Sequence, residues 1–313
     1  MGRNHARIYS EMGVLGGVFD LNSIAAKSIA ERYGSEHYSE LNELFNNVDV
    51  VSISTPTVTH YEITSLAIEK GVSVLIEKPF TGSVVMAQEL TQKAEDEGVT
   101  LTVGMVERHN PVVNEARNCL ERGDFGDLIT ISSRRVSSFP ERIRDVGVVM
   151  DLGIHDIDAL SFISNSRVKS VFAHGGRYNG SQFEDHANIM MLMENGTEAF
   201  VEVNWLTPMK VRNVYMTCSK TYAKLDYMSQ MISTSASRYV GDSENDYRSP
   251  WEFEYSERFL KKEEPLKREL SNFIESSKGN EKPLVTGWEV VEDLKVCEAV
   301  LRSIAEMSRI DIL

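Results

Sequence analysis

Cysteine is scarce in this chain: Cys119, Cys218 and Cys297 are its only three, odd in number and far apart. Their spacing offers neither a metal-binding cluster nor a disulfide framework, so no metal is expected and a reducing compartment is. Long apolar runs are missing as well. No stretch approaches the roughly 18 consecutive apolar residues that a bilayer-spanning helix needs. Arg3, His5 and Arg7 are followed by no apolar block, so a secretory leader is not expected. Positive charge is in deficit, with 33 Lys and Arg against 47 Asp and Glu, for a net charge of −14. An acidic surface repels phosphate backbones, which argues against nucleic acid or an anionic membrane as partner. These absences point to a cytoplasmic protein acting on small molecules. There is also no internal repeat, no low-complexity tract and no flexible linker.

What remains is an ordinary globular balance, 42% hydrophobic and 26% charged over 313 residues, enough for about two domains. The first hundred residues alternate short apolar runs with amphipathic stretches. Val14–Asp20, Val48–Ser54, Val72–Ile76 and Leu101–Met105 read as strands. Ser23–Tyr33, Thr59–Lys70 and Val84–Glu97 read as the helices between them. This rhythm predicts a parallel sheet with right-handed crossovers.

Beyond residue 107 the rhythm changes. Helices are predicted over Pro111–Arg122 and Asp151–Ile163, with a strand over Leu128–Ser137 between them. Long strands follow over Val168–Tyr178, Asp185–Met193, Thr197–Trp205, Val211–Cys218 and Tyr222–Tyr227. Asn195-Gly196 marks a tight hairpin. Residues 229–255 are polar and read as a long excursion; Pro265–Ser276 and Trp288–Met307 read as closing helices. The expected architecture is an α/β Rossmann domain, a doubly wound parallel sheet, over residues 1–107. An α+β domain with a large, mostly antiparallel open sheet follows over 108–313, its C-terminal helix packing back on the first domain. Strands such as His186–Met193 and Glu198–Trp205 are apolar on both faces in places. Because large exposed apolar patches are rare, a homodimer or homotetramer through that sheet is expected.

The glycine-rich phosphate loop of dinucleotide folds, G-x-G-x-x-G after a strand, is incomplete. Gly2, followed by Arg3, Asn4 and an amphipathic stretch, matches only its third glycine. Asp20 lies at the next strand end, roughly 20 residues on, where a carboxylate binds the adenosine ribose hydroxyls and repels a 2′-phosphate. That favours NAD over NADP. The competing reading makes Asp20 a turn residue before the following helix. In a 3-2-1-4-5-6 sheet the first strand would lie between Val14–Asp20 and Val48–Ser54. The expectation is therefore that Met1 falls within the glycine loop of a longer natural chain, and that the short chain has a distorted pyrophosphate site.

Ser54-Thr55-Pro56, with His60 four residues on, and Glu77-Lys78-Pro79 follow predicted parallel strands. Such strand ends are where these sheets place ligands. Together with Arg108-His109-Asn110-Pro111, the Asp151–Asp158 box (DLGIHDID), Asn195-Gly196 and Trp205, they resemble the glucose–fructose oxidoreductase/inositol dehydrogenase (Gfo/Idh/MocA) family over nearly the whole chain. The chain departs from that pattern in its missing first strand and glycines, and in His109, where the family commonly has Phe or Tyr. The resemblance implies that Lys78 and His155 flank the reacting carbinol, supported by Asp151. It also implies cofactor contacts from Gly2, Arg3, Asn4, Asp20, Ser54, Thr55, Pro56, His60, Glu77 and Lys78. The chemistry agrees: hydride removal from an alcohol also requires loss of the hydroxyl proton, which a neutral imidazole accepts. An ammonium stabilises the developing alkoxide. Asp151 and His155, four apart at a helix start, would share a face. Otherwise, Asp151 is a helix cap and His155 a core histidine.

Arg134, Arg135, Arg142 and Arg144 crowd one segment, which fits either an anionic ligand or a solvated loop with salt bridges. The surrounding stretch is similar to the branch of the family that oxidises the 3-hydroxyl of UDP-N-acetylglucosamine or a related nucleotide sugar. On that reading Arg108, Arg142, Arg144, Trp205, Lys210 and Arg212 contact the substrate. An NAD-requiring glycosidase or epimerase, and a non-catalytic NAD-binding regulator, remain the alternatives.

Overall fold

The computed structural model describes residues 1–140, 146–180, 182–239 and 251–312. The chain forms two compact units, Met1–His109 with Glu264–Leu294, and Asn110–Glu263 with Lys295–Leu313.

The first unit opens with α1 (Gly2–Glu11), followed by β1 (Gly17–Val18), α2 (Ser23–Tyr33), β2 (Glu36–His37) and α3 (Leu41–Phe45). Then come β3 (Val50–Ile53), α4 (His60–Glu69), β4 (Ser73–Ile76), α5 (Val84–Asp96) and β5 (Leu101–Val103). Local chemistry sets the helix ends. The Asn22 side chain accepts the Ala25 N–H at the start of α2, and Gly34 stops it at φ 65°, a left-handed conformation that favours glycine. Ser83 caps α5 in the same way through the Met86 N–H. β4 is buried at all four positions, Ser73 with the apolar Val74, Leu75 and Ile76, and pairs in parallel with β3 and β5.

The parallel sheet is in two pieces, β1–β2 and β3–β4–β5. The expected strand over Val14–Asp20 shrinks to Gly17–Val18, which pairs only with β2. Among the described residues no strand bridges β1 and β3. The edge of β3 instead meets α1, where the Tyr9 hydroxyl lies 2.6 Å from Ser52 Oγ. Ile8 and Tyr9 of α1 share a core with Leu75 of β4 and with Leu266, Leu270, Phe273 and Ile274 from a helix near the chain's end. Burying each of the larger of these side chains contributes about 1.5–3 kcal/mol.

The second unit contains α6 (Pro111–Glu121), β6 (Leu128–Ser138), α7 (Ile154–Ser164), β7 (Val168–Gly176), β8 (His186–Met193), β9 (Glu198–Asn204) and β10 (Leu206–Cys218). β11 (Tyr222–Asp226), β12 (Met231–Tyr239) and β13 (Trp251–Phe259) follow. After them α8 (Pro265–Ser277) returns to the first unit. α9 (Gly287–Glu306) gives its first residues to that unit and the rest to the second, and β14 (Ile310–Asp311) ends in the second. One nine-stranded sheet runs β13-β12-β11-β10-β6-β9-β8-β7-β14. Only β6 and β9 pair in parallel. Gly196, at φ 89°, turns the expected β8–β9 hairpin.

α6 and α7 cover one face of this sheet. On the other, Phe172, Met190 and Phe200 stand in one cross-strand row and are 37–51% exposed. The same face continues to Trp251, Phe253, Tyr255 and Phe259 on the edge strand β13. Within the excursion expected over residues 229–255, the described residues are mostly strand, since β12 and β13 pair over nine positions; residues 240–250 lie outside the described residues. β13 alternates aromatic and charged residues, a period-two signal that overall polarity conceals.

Candidate active site

In the first unit the candidate groups gather where strands end. A Cβ on Gly2 would come 2.9 Å from Ser54 Oγ, so the start of α1 lies close against the end of β3. No side chain caps this helix start. The first backbone N–H groups, at Gly2 and Arg3, therefore form the kind of anion site that holds a pyrophosphate. Asp20, just past β1, stays exposed; its Oδ1 accepts the Asn22 N–H at 2.8 Å, while Asn22 itself caps α2. The turn role expected as the alternative is therefore present, and the carboxylate still faces solvent. Thr55 and Pro56 are exposed beyond β3, and Thr59 Oγ1 donates to the Pro56 carbonyl at 2.8 Å. These residues fit a bound dinucleotide.

The side chains of His60 and Glu77, both expected at the cofactor, are engaged by groups of the protein itself. The His60 ring is buried with Nδ1 2.9 Å from the Pro79 carbonyl and Nε2 2.9 Å from that of Thr55. It staples the two strand-end loops together. Glu77 is buried, with Oε1 2.9 Å from His5 Nε2, which ties α1 to the end of β4. His5 carried no distinguishing signal: it is a histidine on the apolar face of an amphipathic helix. Lys78, next in sequence, is half-buried, and its peptide bond to Pro79 is cis. Arg108, expected at the substrate, is buried: its guanidinium donates to the Leu284 carbonyl at 3.0 Å and pairs with Glu289 at 2.7 Å. A buried cation needs such partners. Burial, helped by Arg268 and Arg108, holds the His109 imidazole down at about 3.

In the second unit the helix expected from Asp151 opens with a π turn over Val149–Gly153. The Ile154 N–H reaches back to the Val149 carbonyl, five residues earlier, before α7 begins. Such turns are frequent at functional sites. Asp151 and His155 are both buried here. Asp156, next to His155, meets the Nε of Arg135 at 2.5 Å, which anchors the start of α7 to β6. Strand alternation separates the expected arginine cluster: Arg135 points to the helix-covered face, whereas Arg134 pairs with Glu202 at 2.9 Å on the open face. Arg142 and Arg144 lie outside the described residues.

Trp205 is buried at the end of β9, edge-on to Phe139 with ring centroids 5.5 Å apart. It lines a cavity of about 340 Å³ together with Phe139, Tyr178, Asn179, Thr207 and neighbours. Lys210, exposed, and Arg212, half-buried, lie further along β10 and are not in that lining. Two residues that sequence reasoning missed connect these parts. Glu184 accepts the Val149 N–H at the π turn, and Asp185 accepts the Tyr178 and Asn179 N–H groups beside the cavity. Their only signal was a pair of adjacent carboxylates at the mouth of an apolar strand.

Comparison with known proteins is decisive about ancestry. Residues 1–105 match the oxidoreductase family with an NAD-binding Rossmann fold, and residues 113–223 match the GFO/IDH/MocA C-terminal domain. The UDP-N-acetylglucosamine 3-dehydrogenase of Acidithiobacillus ferrooxidans is 30% identical over 232 residues, covering 74% of this chain and 72% of that protein. The chain belongs to the Gfo/Idh/MocA oxidoreductase family. As a member of that family it is an NAD-dependent dehydrogenase acting on CH–OH groups of sugars or polyols. The Bacillus subtilis scyllo-inositol 2-dehydrogenase (NAD(+)) is another relative, 24% identical over 299 residues, spanning 89% of this chain and 82% of its own. A solved structure of the A. ferrooxidans enzyme superposes with a TM-score of 0.86 at 26% identity, over 98% of this chain and 96% of that one. A levoglucosan dehydrogenase in complex with NADH shares the fold at a TM-score of 0.85 and 16% identity, over 100% and 96% of the two chains. Among the described residues no helix is long and apolar enough to cross a membrane.

Proposed function

We propose that this Gfo/Idh/MocA enzyme oxidises the C3 hydroxyl of a nucleotide sugar, UDP-N-acetylglucosamine or a close relative. The observation that carries this reading is the 30% identity to the A. ferrooxidans UDP-N-acetylglucosamine 3-dehydrogenase across most of both chains. The aromatic-walled cavity at Trp205 supports it, because flat bases and sugar faces stack on such walls. NAD, when bound by the first unit, would supply the hydride acceptor. His155 takes the hydroxyl proton, and the Lys78 ammonium stabilises the alkoxide that develops as the proton leaves. Asp151 holds the imidazole in one tautomer. Gly2, Arg3 and Asn4 at the α1 start would hold the pyrophosphate, together with Ser54, Thr55 and Pro56, and Asp20 would select NAD by accepting from the ribose hydroxyls.

The enzyme works in a reducing cytoplasm as a homodimer or homotetramer. The apolar row Phe172, Met190 and Phe200 on the open sheet face supports the assembly, since exposed rows of this kind mark interfaces. The test of the reaction is net NADH formation from NAD and UDP-N-acetylglucosamine, with the product identified as the 3-keto sugar. A cofactor-recycling glycosidase or epimerase would release altered sugar without net NADH, and a regulator would bind NAD and turn over nothing.

A further inference from the structure

Three groups of the second unit that the proposed reaction uses separately are fastened to two adjacent residues. The Glu184 carbonyl accepts the Val148 N–H at 3.0 Å, and its Oε1 accepts the Val149 N–H at 3.0 Å. Both donors open the π turn that carries Asp151 and leads into His155. The Glu184 carboxylate lies directly over Gly147: a Cβ there would overlap it and force the carboxylate aside. Burial pushes the Glu184 carboxyl up, against the Val149 N–H that draws it down.

Asp185 is fully buried and faces the other way. Its carboxylate accepts the Tyr178 N–H at 2.9 Å, the Asn179 N–H at 2.8 Å and the His186 Nδ1 contact at 2.9 Å. Burial alone would raise this carboxyl, but the Asn179 and Tyr178 N–H groups and the His186 ring outweigh it and hold it below the ordinary range. Its backbone N–H donates to the Gly176 carbonyl, and its carbonyl accepts the Trp205 N–H, each at 2.9 Å. Tyr178, Asn179 and Trp205 are three of the residues that line the cavity. A buried carboxylate with this many donors costs little to keep charged and much to remove.

We infer that Glu184 and Asp185 are a positioning pair with divided roles: Glu184 sets the turn that presents Asp151 and His155, and Asp185 sets the cavity walls that hold the substrate. The inference rests on the reaction and pocket proposed above. Neither side chain touches a reacting atom, so each acts through the groups it holds. A misplacement of about 1 Å in a reacting group lowers rate about a hundredfold, whereas a loosened wall weakens binding without moving the chemistry.

The experiment compares Glu184→Ala, Glu184→Gln and Asp185→Asn in the full chain with NAD and UDP-N-acetylglucosamine. Glu184→Ala is expected to lower kcat about a hundredfold and leave KM within about threefold. Glu184→Gln, whose amide oxygen still accepts the Val149 N–H, restores most of kcat. Asp185→Asn is expected to raise KM about tenfold and leave kcat within about threefold. A merely structural role would lower active enzyme in all three without splitting the two constants. Amide hydrogen exchange supplies a readout that needs no substrate. Glu184→Ala should deprotect residues 148–155 and spare 176–180, and Asp185→Asn should do the reverse. If the wild-type protein turns over no sugar, the proposed reaction fails and exchange alone judges the pair. Deprotection of both segments in both variants, or a Glu184→Gln as damaging as Glu184→Ala, overturns the inference.

Discussion

Replacing His109 by Phe should make the protein less sensitive to acid. His109 lies in a single helical turn, Val106–His109, and is only 4% exposed. Burial first, then the guanidinium groups of Arg268 and Arg108, lower its proton affinity from 6.5 to about 3. The unfolded chain therefore binds a proton at His109 below about pH 6.5 that the folded chain refuses until about pH 3. Stability is whole above the unfolded value and is lost as the pH falls through this window. At pH 5 the unfolded imidazole is almost fully protonated and the folded one almost fully neutral. The difference costs about 2 kcal/mol relative to pH 7.5. A Phe carries no proton, so His109→Phe should lose about 2 kcal/mol less than wild type between these two pH values. Carboxylates contribute equally to both proteins and cancel. Urea unfolding followed by circular dichroism at pH 7.5 and pH 5 measures the difference. An equal loss in the two proteins would refute the reasoning, whatever the change in absolute stability from fitting a larger ring.

Other consequences are as direct. Lys78→Met and His155→Ala should each lower kcat by about a hundred- to ten-thousand-fold, with a much smaller change in sugar binding, and steady-state kinetics would show it. Asp20→Ala should narrow the preference for NAD over NADP; a wild-type kcat/KM for NADP at or above that for NAD would contradict the role given to this carboxylate. Met190→Glu with Phe200→Glu puts two charges into the apolar row of the open sheet face and should dissociate the oligomer, which light scattering at micromolar concentration reads; a wild-type monomer would refute the interface.

Much of the fold is legible because buried strands and amphipathic helices write their period into the chain. β4 reads as an apolar run, Val74-Leu75-Ile76 after Ser73, and is buried at all four positions, and α5 starts at the serine that caps it. Legibility fails where composition hides a period or where a residue's location does not give its direction. β12 and β13 were lost in a polar stretch although aromatic and charged residues alternate along β13. Arg134 and Arg135 are neighbours in sequence but point to opposite faces of β6. His60, Glu77 and Arg108 sit in the motifs expected of them, yet each side chain turns inward to hold another loop or helix. Only tertiary contacts decide that direction. Glu184 and Asp185 were invisible for the same reason: their partners lie 35 residues upstream, at Val149, and within the preceding turn.

Substrate choice tests the proposed reaction most directly. Initial rates of NADH formation should be measured with NAD and, in parallel, UDP-N-acetylglucosamine, UDP-glucose, free N-acetylglucosamine and an inositol. Stacking and diphosphate contacts act only on nucleotide sugars, so kcat/KM for UDP-N-acetylglucosamine is expected to be at least about a hundredfold above that for the free sugar, roughly 2.7 kcal/mol of transition-state binding. Equal or higher kcat/KM for a free sugar or inositol would contradict it and reassign the enzyme to another substrate class within the family.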